Sequence, residues 1–145
     1  MSMNSLDALV KKLKKCLEDK ENILFAILFG SIVKGDFGEN SDIDIAIRFR
    51  KRPSLEKLVN LIVELSECLN VNEDKIDITI IDNDLPLELR YKILRDGILV
   101  FARALEDYKI FRDVSISMYI DFRKALELVE YGKKYLKKAE ELLWK

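Results

Sequence analysis

Apolar residues recur along the chain with two different periods, which separate predicted helices from predicted strands. Apolar positions three and four residues apart predict helices at residues 6–17, 55–69 and about 86–96, and through most of the chain beyond residue 104. A continuous apolar run predicts a strand buried on both faces at residues 23–29. Alternating apolar and polar side chains, or a short apolar run, predict further strands at residues 42–50, 76–81 and 98–101.

This order of elements predicts a single α/β domain over residues 1–145. The order is helix, strand, short helix and loop, strand, helix, strand, helix, strand and long helix, with Gly35 and Gly38 in the loop. Two of the strands have one apolar face for helices to cover and one polar face, which is expected to be open, concave and acidic. We place the core of the domain at about residues 20–103 and a C-terminal helical extension at about residues 104–145.

The charge balance gives no broad electrostatic case for a nucleic-acid partner. The chain has 145 residues and a formal net charge of −1, whereas nucleic-acid binding normally requires a basic face. Lysines and arginines are nevertheless clustered at residues 11–15, 48–52 and 133–138. Solvated helix faces account for the first and third groups, which leaves the role of the arginines at 48–52 open.

The two cysteines and the absence of histidine narrow the chemistry further. Cys16 and Cys68 fall in helical patterns and are expected to be reduced thiols that fill core or boundary positions of a cytoplasmic protein. The apolar run at residues 23–29 is too short to span a bilayer, so no membrane association is expected. With no histidine in the sequence, histidine-based zinc sites, Ser–His triads and histidine bases are excluded.

Paired carboxylates are the strongest chemical feature of the sequence. Asp42 and Asp44 alternate along a predicted strand, so their side chains point the same way, roughly 6.6 Å apart. Asp77 occupies an equivalent position on the next strand, and it joins the pair if the two strands are neighbours. Carboxylates at such distances repel unless a cation lies between them, and Mg²⁺ prefers oxygen ligands and is often completed by substrate phosphates. The pattern predicts metal-assisted chemistry on a nucleoside triphosphate; the alternative is a solvated polar sheet face.

A glycine-serine turn precedes the paired carboxylates and supplies a candidate phosphate site. Gly30 ends the apolar strand and lets the backbone approach a phosphate closely, while Ser31 begins a turn whose N–H groups favour anions. Ser31 is equally suited to cap a helix, and the two roles are compatible. Lys34 is in reach of a phosphate or of solvent, and Ser41 is placed either to bond substrate or to cap the loop.

Gly30-Ser31, ten residues and then Asp42-Ile43-Asp44, with Asp77 beyond, resemble the motif of the polymerase-β-type nucleotidyltransferases. The short chain is similar to the minimal nucleotidyltransferases (MNT proteins) of that superfamily. The match covers about residues 23–82. Residues 95–97 (Arg-Asp-Gly) and 119–122 (Tyr-Ile-Asp-Phe) resemble the MNT antitoxins that are paired with HEPN toxins.

The resemblance implies a fold, a reaction and a partner. It implies a mixed sheet of about four strands covered by helices on one face, and a long C-terminal helix. It also implies two Mg²⁺ ions bound by Asp42 and Asp44, one of the sites completed by Asp77. It further implies that Gly30 and Ser31 hold the triphosphate of ATP, and that AMP is transferred to a tyrosine of a HEPN toxin. Asp77 is the candidate general base. Two alternatives stay open: a small-molecule nucleotidyltransferase of the aminoglycoside type, and an antitoxin that acts by binding alone.

The last predicted helix carries a wide apolar stripe with lysines and glutamates opposite. Its residues recur at helical spacing: Phe122, Ala125, Leu128, Val129, Gly132, Tyr135, Leu136, Ala139, Leu142 and Leu143. Small residues recur every seven positions and permit close approach of another helix. The stripe is predicted to dock the HEPN partner or a second copy of the chain, and the alternative is that it packs back onto the sheet.

Overall fold

The structure, a computed structural model, describes residues 5–35 and 41–144, and these form a four-stranded sheet and four α-helices. The helices are α1 (Ser5–Leu17), α2 (Leu55–Leu69), α3 (Leu87–Asp96) and α4 (Leu105–Leu143). The strands are β1 (Ile23–Phe29), β2 (Ile43–Phe49), β3 (Ile76–Ile80) and β4 (Ile98–Ala102). The predicted order is confirmed except after β1, where residues 31–35 form successive turns rather than a helix. Gly38 of the predicted loop lies outside the described residues.

The sheet is mixed, as predicted, with the strand order β3-β2-β1-β4. β1 pairs antiparallel with both β2 and β4, whereas β2 and β3 are parallel neighbours joined through α2. Parallel neighbours require a crossover connection, which the amphipathic α2 provides. The resulting register sets Phe29 opposite Asp44, and Asp44 opposite Asp77.

One face of the sheet is covered by α1 and α2. Leu13 and Leu17 of α1 and Leu61 and Leu65 of α2 are buried in one cluster with Ile45 of β2. The apolar positions of β2 and β3 supply the sheet side of this cluster, as their alternation predicted. The two helices therefore stabilise the sheet by removing these side chains from water.

The other face of the sheet is partly covered as well, so the prediction that helices lie on one face only is wrong. Ile93 of α3 and Tyr108 of α4 are buried in a second cluster with Ile27 of β1 and Ala46 of β2. The reason lies in β1, which is apolar on both faces and therefore needs cover on each of them. The carboxylates predicted for this face lie beyond the cover, at one end of the strands.

Gly97 fixes how closely α3 approaches the sheet. Gly97 follows α3 with an extended backbone and a φ of −74°, so no left-handed conformation calls for glycine there. Glycine is required for space instead, because a Cβ atom there would overlap the Ile27 side chain and lie 2.6 Å from the Ile93 carbonyl oxygen. α3 thus ends directly against β1.

Cys16 and Cys68 form a disulfide, so the prediction of two reduced thiols is wrong. The bond joins the last turn of α1 to the last turn of α2, with Cα atoms 6.1 Å apart and a sequence separation of 52. Helical periodicity identified each cysteine separately, but only the packing of α1 beside α2 brings them together. Cys16 is buried but Cys68 is exposed, so a reductant in solution can reach the bond.

The second half of α4 projects from the domain. Among the described residues, the aromatic contact furthest along α4 that involves another element is the stacking of Tyr119 on Tyr91 of α3. Their ring centroids are 4.2 Å apart. From residue 120 to residue 144 every side chain is exposed except Gly132 and Ala139, which are half-buried. The predicted alternative, in which the stripe packs back onto the sheet, is therefore wrong. Across residues 5–35 and 41–144, no helix has both the length and the apolar character needed to cross a bilayer.

Breaking the disulfide is expected to destabilise the domain without changing its fold. The bond closes a long loop, so reduction should lower the free energy of unfolding by about 2–4 kcal/mol. Urea unfolding with and without dithiothreitol measures the difference. A Cys68→Ser variant serves as the control, since its midpoint should not respond to the reductant. An equal midpoint for the wild-type chain in both conditions would contradict the bond.

Candidate active site

The fold brings the three predicted carboxylates to one end of the sheet. Asp44 and Asp77 are register partners on the parallel strands β2 and β3, so they stand side by side on the same face. Asp42 comes two residues before Asp44, immediately ahead of β2, and both Asp42 and Asp77 are exposed. The condition set by the sequence, that the two acidic strands must be neighbours, is met.

Asp44 is at the centre of this group, and its environment disfavours its charge. The pKa of Asp44 is raised above its ordinary value, first by burial and then by the negative charges of Asp77 and Asp42. Like charges at short range oppose ionisation unless a cation compensates them. The three carboxylates therefore interact electrostatically already in the protein alone.

Gly30 is in direct contact with the central carboxylate. It has a φ of +88°, a left-handed conformation that side chains rarely tolerate. A Cβ atom at this position would overlap Oδ2 of Asp44 and lie 3.0 Å from its Cγ. The sequence predicted that glycine was needed for a phosphate to approach, and the structure gives a further reason, namely room for the Asp44 carboxylate.

The turn after Gly30 begins with backbone N–H groups that have no partner inside the turn. The N–H groups of Val33, Lys34 and Gly35 bond to carbonyls three residues earlier, at 3.0–3.3 Å, so those of Ser31 and Ile32 have no bond inside the turn. Ile32 is buried in the core and anchors the turn, whereas Ser31 and Lys34 are exposed. Donors of this kind suit an anion such as a phosphate.

The last turn of α3 borders the same end of the sheet. A Cβ atom at Gly97 would lie 3.1 Å from the carbonyl oxygen of Leu28, two residues before Gly30. The adjacent Asp96 is paired with Arg95, and the pKa of Asp96 is lowered mainly by that hydrogen bond and partly by the charge of Lys34. The Arg-Asp-Gly turn, noted in the sequence only for its resemblance, therefore brings Arg95 to the edge of the site. Ser41 is half-buried beside Asp42.

The residues present fit a divalent cation in their chemistry and in their position. Oxygen ligands suit Mg²⁺, and a cation would relieve the repulsion that raises the pKa of Asp44. In the described part of the chain, no three acidic or thiol side chains are already drawn together as a metal-binding group. A cation would therefore have to draw in the exposed Asp42 and Asp77 side chains by rotation.

Comparison with known proteins agrees with this arrangement. Residues 11–106 match the family model described as polymerase beta, nucleotidyltransferase. The match covers well over half of the chain and assigns it to the nucleotidyltransferases. The chain belongs to the polymerase β nucleotidyltransferase family.

Two curated relatives show which kind of nucleotidyltransferase the chain is similar to. The chain is similar to the protein adenylyltransferase MntA of Thermococcus cleftensis, with 30% identity over 74 residues, or 51% of this chain and 75% of that protein. It is also similar to a Methanocaldococcus jannaschii protein that is provisionally named a protein adenylyltransferase. That similarity has 34% identity over 77 residues and covers 52% of this chain and 77% of the relative.

Solved structures share the fold. A chain from a toxin–antitoxin crystal structure with AMP-PNP superposes with a TM-score of 0.66 at 22% identity, covering 86% of this chain and 98% of that one. A chain from the complex of a tri-AMPylated Shewanella oneidensis HEPN toxin with its MNT antitoxin gives a TM-score of 0.62 at 19% identity, covering 88% and 98%. The predicted polymerase-β-like fold, with its mixed sheet and long C-terminal helix, is confirmed.

Replacing the central carboxylate is expected to stabilise the metal-free protein. The folded-state pKa of Asp44 is raised above the ordinary value of 3.8. The free energy of unfolding therefore falls as the pH rises from about 3.8 through the raised pKa, because the folded protein then loses its preference for the protonated carboxyl. Asp44→Asn should therefore raise the Tm at neutral pH in EDTA by about 2–4 °C. Differential scanning calorimetry measures the shift.

Asp19→Asn is the matched control, since Asp19 is an exposed aspartate in the turn after α1, away from the sheet end. Its Tm should equal that of the wild type. Added Mg²⁺ should raise the Tm of the wild type and of Asp19→Asn, but not that of Asp44→Asn. A lower Tm for Asp44→Asn in EDTA would show that the carboxylate is held by favourable contacts rather than by repulsion.

Proposed function

We propose that the chain is a protein adenylyltransferase that transfers AMP from ATP to a tyrosine hydroxyl of a HEPN-type toxin and thereby acts as its antitoxin. The observation that carries the proposal is the side-by-side placement of Asp44 and Asp77 with Asp42 adjacent, directly beside the Gly30–Ser31 turn. The adenylyltransferase name of one relative and the toxin–antitoxin complexes among the similar folds support the choice of acceptor.

Each part of the candidate site has a role in this reaction. The N–H groups of Ser31 and Ile32, together with Lys34, would hold the triphosphate, and Gly30 leaves room for the carboxylate behind it. Ser41 would bond the nucleotide next to Asp42. These contacts position the α-phosphorus for in-line attack, which is the main contribution a protein makes to phosphoryl and nucleotidyl transfer.

The transfer makes one bond and breaks one bond. The acceptor oxygen bonds to the α-phosphorus of ATP, the bond from that phosphorus to the bridging oxygen of the β-phosphate breaks, and pyrophosphate leaves with the electron pair. Asp77 accepts the hydroxyl proton, or orients the hydroxyl while water takes it. Two Mg²⁺ ions held by Asp42 and Asp44, with Asp77 completing one site, would supply charge neutralisation and acidify the hydroxyl.

The cytoplasm is the compartment we propose for the reaction, because ATP is available there. The Cys16–Cys68 disulfide is unusual for this compartment, since disulfides are rare in cytosolic proteins other than those of hyperthermophiles. The bond lies in the layer of α1 and α2, on the face of the sheet opposite the carboxylates. Its redox state is therefore expected to change stability rather than the transfer chemistry.

Removing two of the carboxylates is expected to abolish transfer. The double variant Asp42→Asn/Asp44→Asn removes the charges that would hold the metal ions, so incorporation of label from α-³²P-ATP into a HEPN-type protein that binds the wild-type chain should fall at least a thousandfold. Asp84→Asn is the matched control, because Asp84 is an exposed aspartate in the loop after β3 and lies outside the site. Its rate should equal that of the wild type.

Two outcomes of this assay would contradict the proposal. Transfer by the double variant at the wild-type rate would show that these carboxylates do not take part. Labelling of an aminoglycoside but of no protein would show that the acceptor is a small molecule. Circular dichroism of the double variant confirms that its fold is intact, so that loss of transfer reports on chemistry.

The projecting half of α4 is the surface that we assign to the partner. Its apolar stripe is exposed along the whole projection, with Leu128 at 71% and Leu136 at 67% exposure, and no described part of the domain covers it. Residues 120–143 of α4 are 24 helical residues, which corresponds to about 36 Å of helix. An uncovered apolar face of this size is characteristic of a protein-binding surface.

The charges beside the stripe favour a different protein over a second copy. Lys124 and Lys138 border the same side of the stripe, each one residue before a small residue. In an antiparallel pair of identical helices centred on Gly132, Lys124 of one copy would lie beside Lys138 of the other, which is unfavourable. A partner helix with acidic residues beside its own apolar face fits these lysines better.

Deleting residues 124–145 is expected to remove partner binding and leave the domain folded. The deleted residues contribute nothing to the two buried clusters. The truncated chain should therefore keep the circular dichroism spectrum expected for its remaining helices and strands. It should also keep its cooperative melting and its binding of ATP with Mg²⁺. Size-exclusion chromatography with the HEPN protein should show co-elution for the full chain and separate peaks for the truncated one. An unfolded or aggregated truncation would instead place the helix in the core.

A further inference from the structure

A second polar cavity lies away from the candidate active site. It has a volume of about 330 Å³ and is lined by three arginines, Arg48, Arg50 and Arg103, together with Asp107, Tyr108 and Phe111. We refer to it as the arginine pocket. Arg48 and Arg50 belong to the basic group at residues 48–52 whose role the sequence left open. Arg103, from the far end of β4, joins them only in the folded chain.

The positive charge around the arginine pocket is not balanced by the protein. Asp107 is the only carboxylate that lines the pocket, and in residues 5–35 and 41–144 none of the three arginines forms a salt bridge. A fourth guanidinium, that of Arg90, lies behind the Phe111 wall rather than in the lining: it is 7% exposed, 5.8 Å from the centre of the Phe111 ring, and its Nε atom has no hydrogen-bond partner among the described residues. Arg48 is half-buried and Arg50 and Arg103 are exposed, so an anion bound in the cavity would meet positive charge that no described carboxylate pairs with.

The arginines differ in whether their guanidinium groups are free to bind a ligand. Arg103 is held by carbonyl oxygens, including those of Ile23 and Lys20 at 3.0 and 2.9 Å, and Arg48 bonds to the Ile81 carbonyl at 3.1 Å while lying over the Phe111 ring at 4.7 Å. These two are fixed in position by the fold. Arg50 is exposed and has no described side-chain partner, so its guanidinium is available.

The start of α4 adds backbone donors to the same cavity. Ala104, the residue before α4, lines the pocket, and no side chain caps the first turn of the helix. The first N–H groups of a helix lack internal partners and favour an anion. Leu24, Phe25, Tyr108 and Phe111 form an apolar wall beside these donors. Donors on one side and an apolar wall on the other match a molecule with a charged end and an apolar body.

The arginine pocket is separate from the carboxylates. Arg48 is four residues beyond Asp44 along β2, which is about 13 Å on the same face. The buried cluster that contains Ile27, Ala46 and Ile93 fills the face between them. A phosphate bound at the Gly30 turn therefore does not reach the arginines, and the pocket needs a ligand of its own.

We propose that the arginine pocket is a second binding site for an organic phosphate of about the size of a nucleoside monophosphate. The phosphate contacts Arg50 and the N–H groups at the start of α4, and the organic body lies against the apolar wall. The volume is at the lower end of the range for small-molecule sites, so a single nucleoside monophosphate is a ligand of suitable size. The site goes beyond the adenylyl transfer proposed above and does not depend on it.

Isothermal titration calorimetry of the full chain with AMP tests the site. EDTA is present, so that the uncompensated carboxylates of the candidate active site do not attract phosphate. AMP should bind, adenosine and inorganic phosphate should each bind at least tenfold more weakly, and Arg50→Gln should weaken AMP binding about tenfold. Asp107→Asn removes the only lining carboxylate and should strengthen AMP binding.

Arg52→Gln is the matched control, because Arg52 is a nearby exposed arginine that pairs with Asp82 and does not line the pocket. Its affinity for AMP should equal that of the wild type. Three results would overturn the proposal: no AMP binding at millimolar concentration, equal AMP affinity for Arg50→Gln and the wild type, or adenosine binding as tightly as AMP. Asp42, Asp44 and Asp77 are unchanged in all these variants, so none of these results bears on the adenylyl transfer proposal.

Discussion

The parallel pairing of β2 with β3 is the constraint on which the candidate active site depends. It sets Asp44 beside Asp77, and the antiparallel pairing of β1 with β2 sets the end of β1, and with it the glycine turn, beside the same carboxylate. Gly30 has no side chain and takes a left-handed conformation, so the Asp44 carboxylate fits against its backbone. A shift of one residue in either pairing would turn the acidic side chains to the opposite face.

Burial and charge are divided along one face of the sheet. The row of Phe29, Asp44 and Asp77 lies at one end, and the row of Phe25 and Arg48 lies at the other. Between them, Ile27 and Ala46 are covered by α3 and the start of α4. The fold thus separates the acidic side chains at one end of this face from the arginines at the other. The apolar cover keeps the two from neutralising each other.

α4 links the domain to its surroundings in two ways. Its first turns complete the second buried cluster and border the arginine pocket, while its second half extends into solvent with an uncovered apolar stripe. A projecting apolar helix is unfavourable in water unless a partner covers it. The disulfide between α1 and α2 lies on the opposite side of the sheet and stabilises the domain independently of that partner.

The sequence by itself determined the elements and the residues of the candidate site. Periodicity located every strand and all four α-helices of residues 5–35 and 41–144, because apolar spacing reflects local geometry, and the alternation around Asp42 and Asp44 identified the acidic face. Tertiary structure alone decided which distant residues meet. Pairing of α1 with α2 joined Cys16 to Cys68, the doubly apolar β1 drew helices onto the face expected to be open, and the end of β4 brought Arg103 to Arg48. Such contacts depend on how elements pack in three dimensions, which a one-dimensional pattern does not encode.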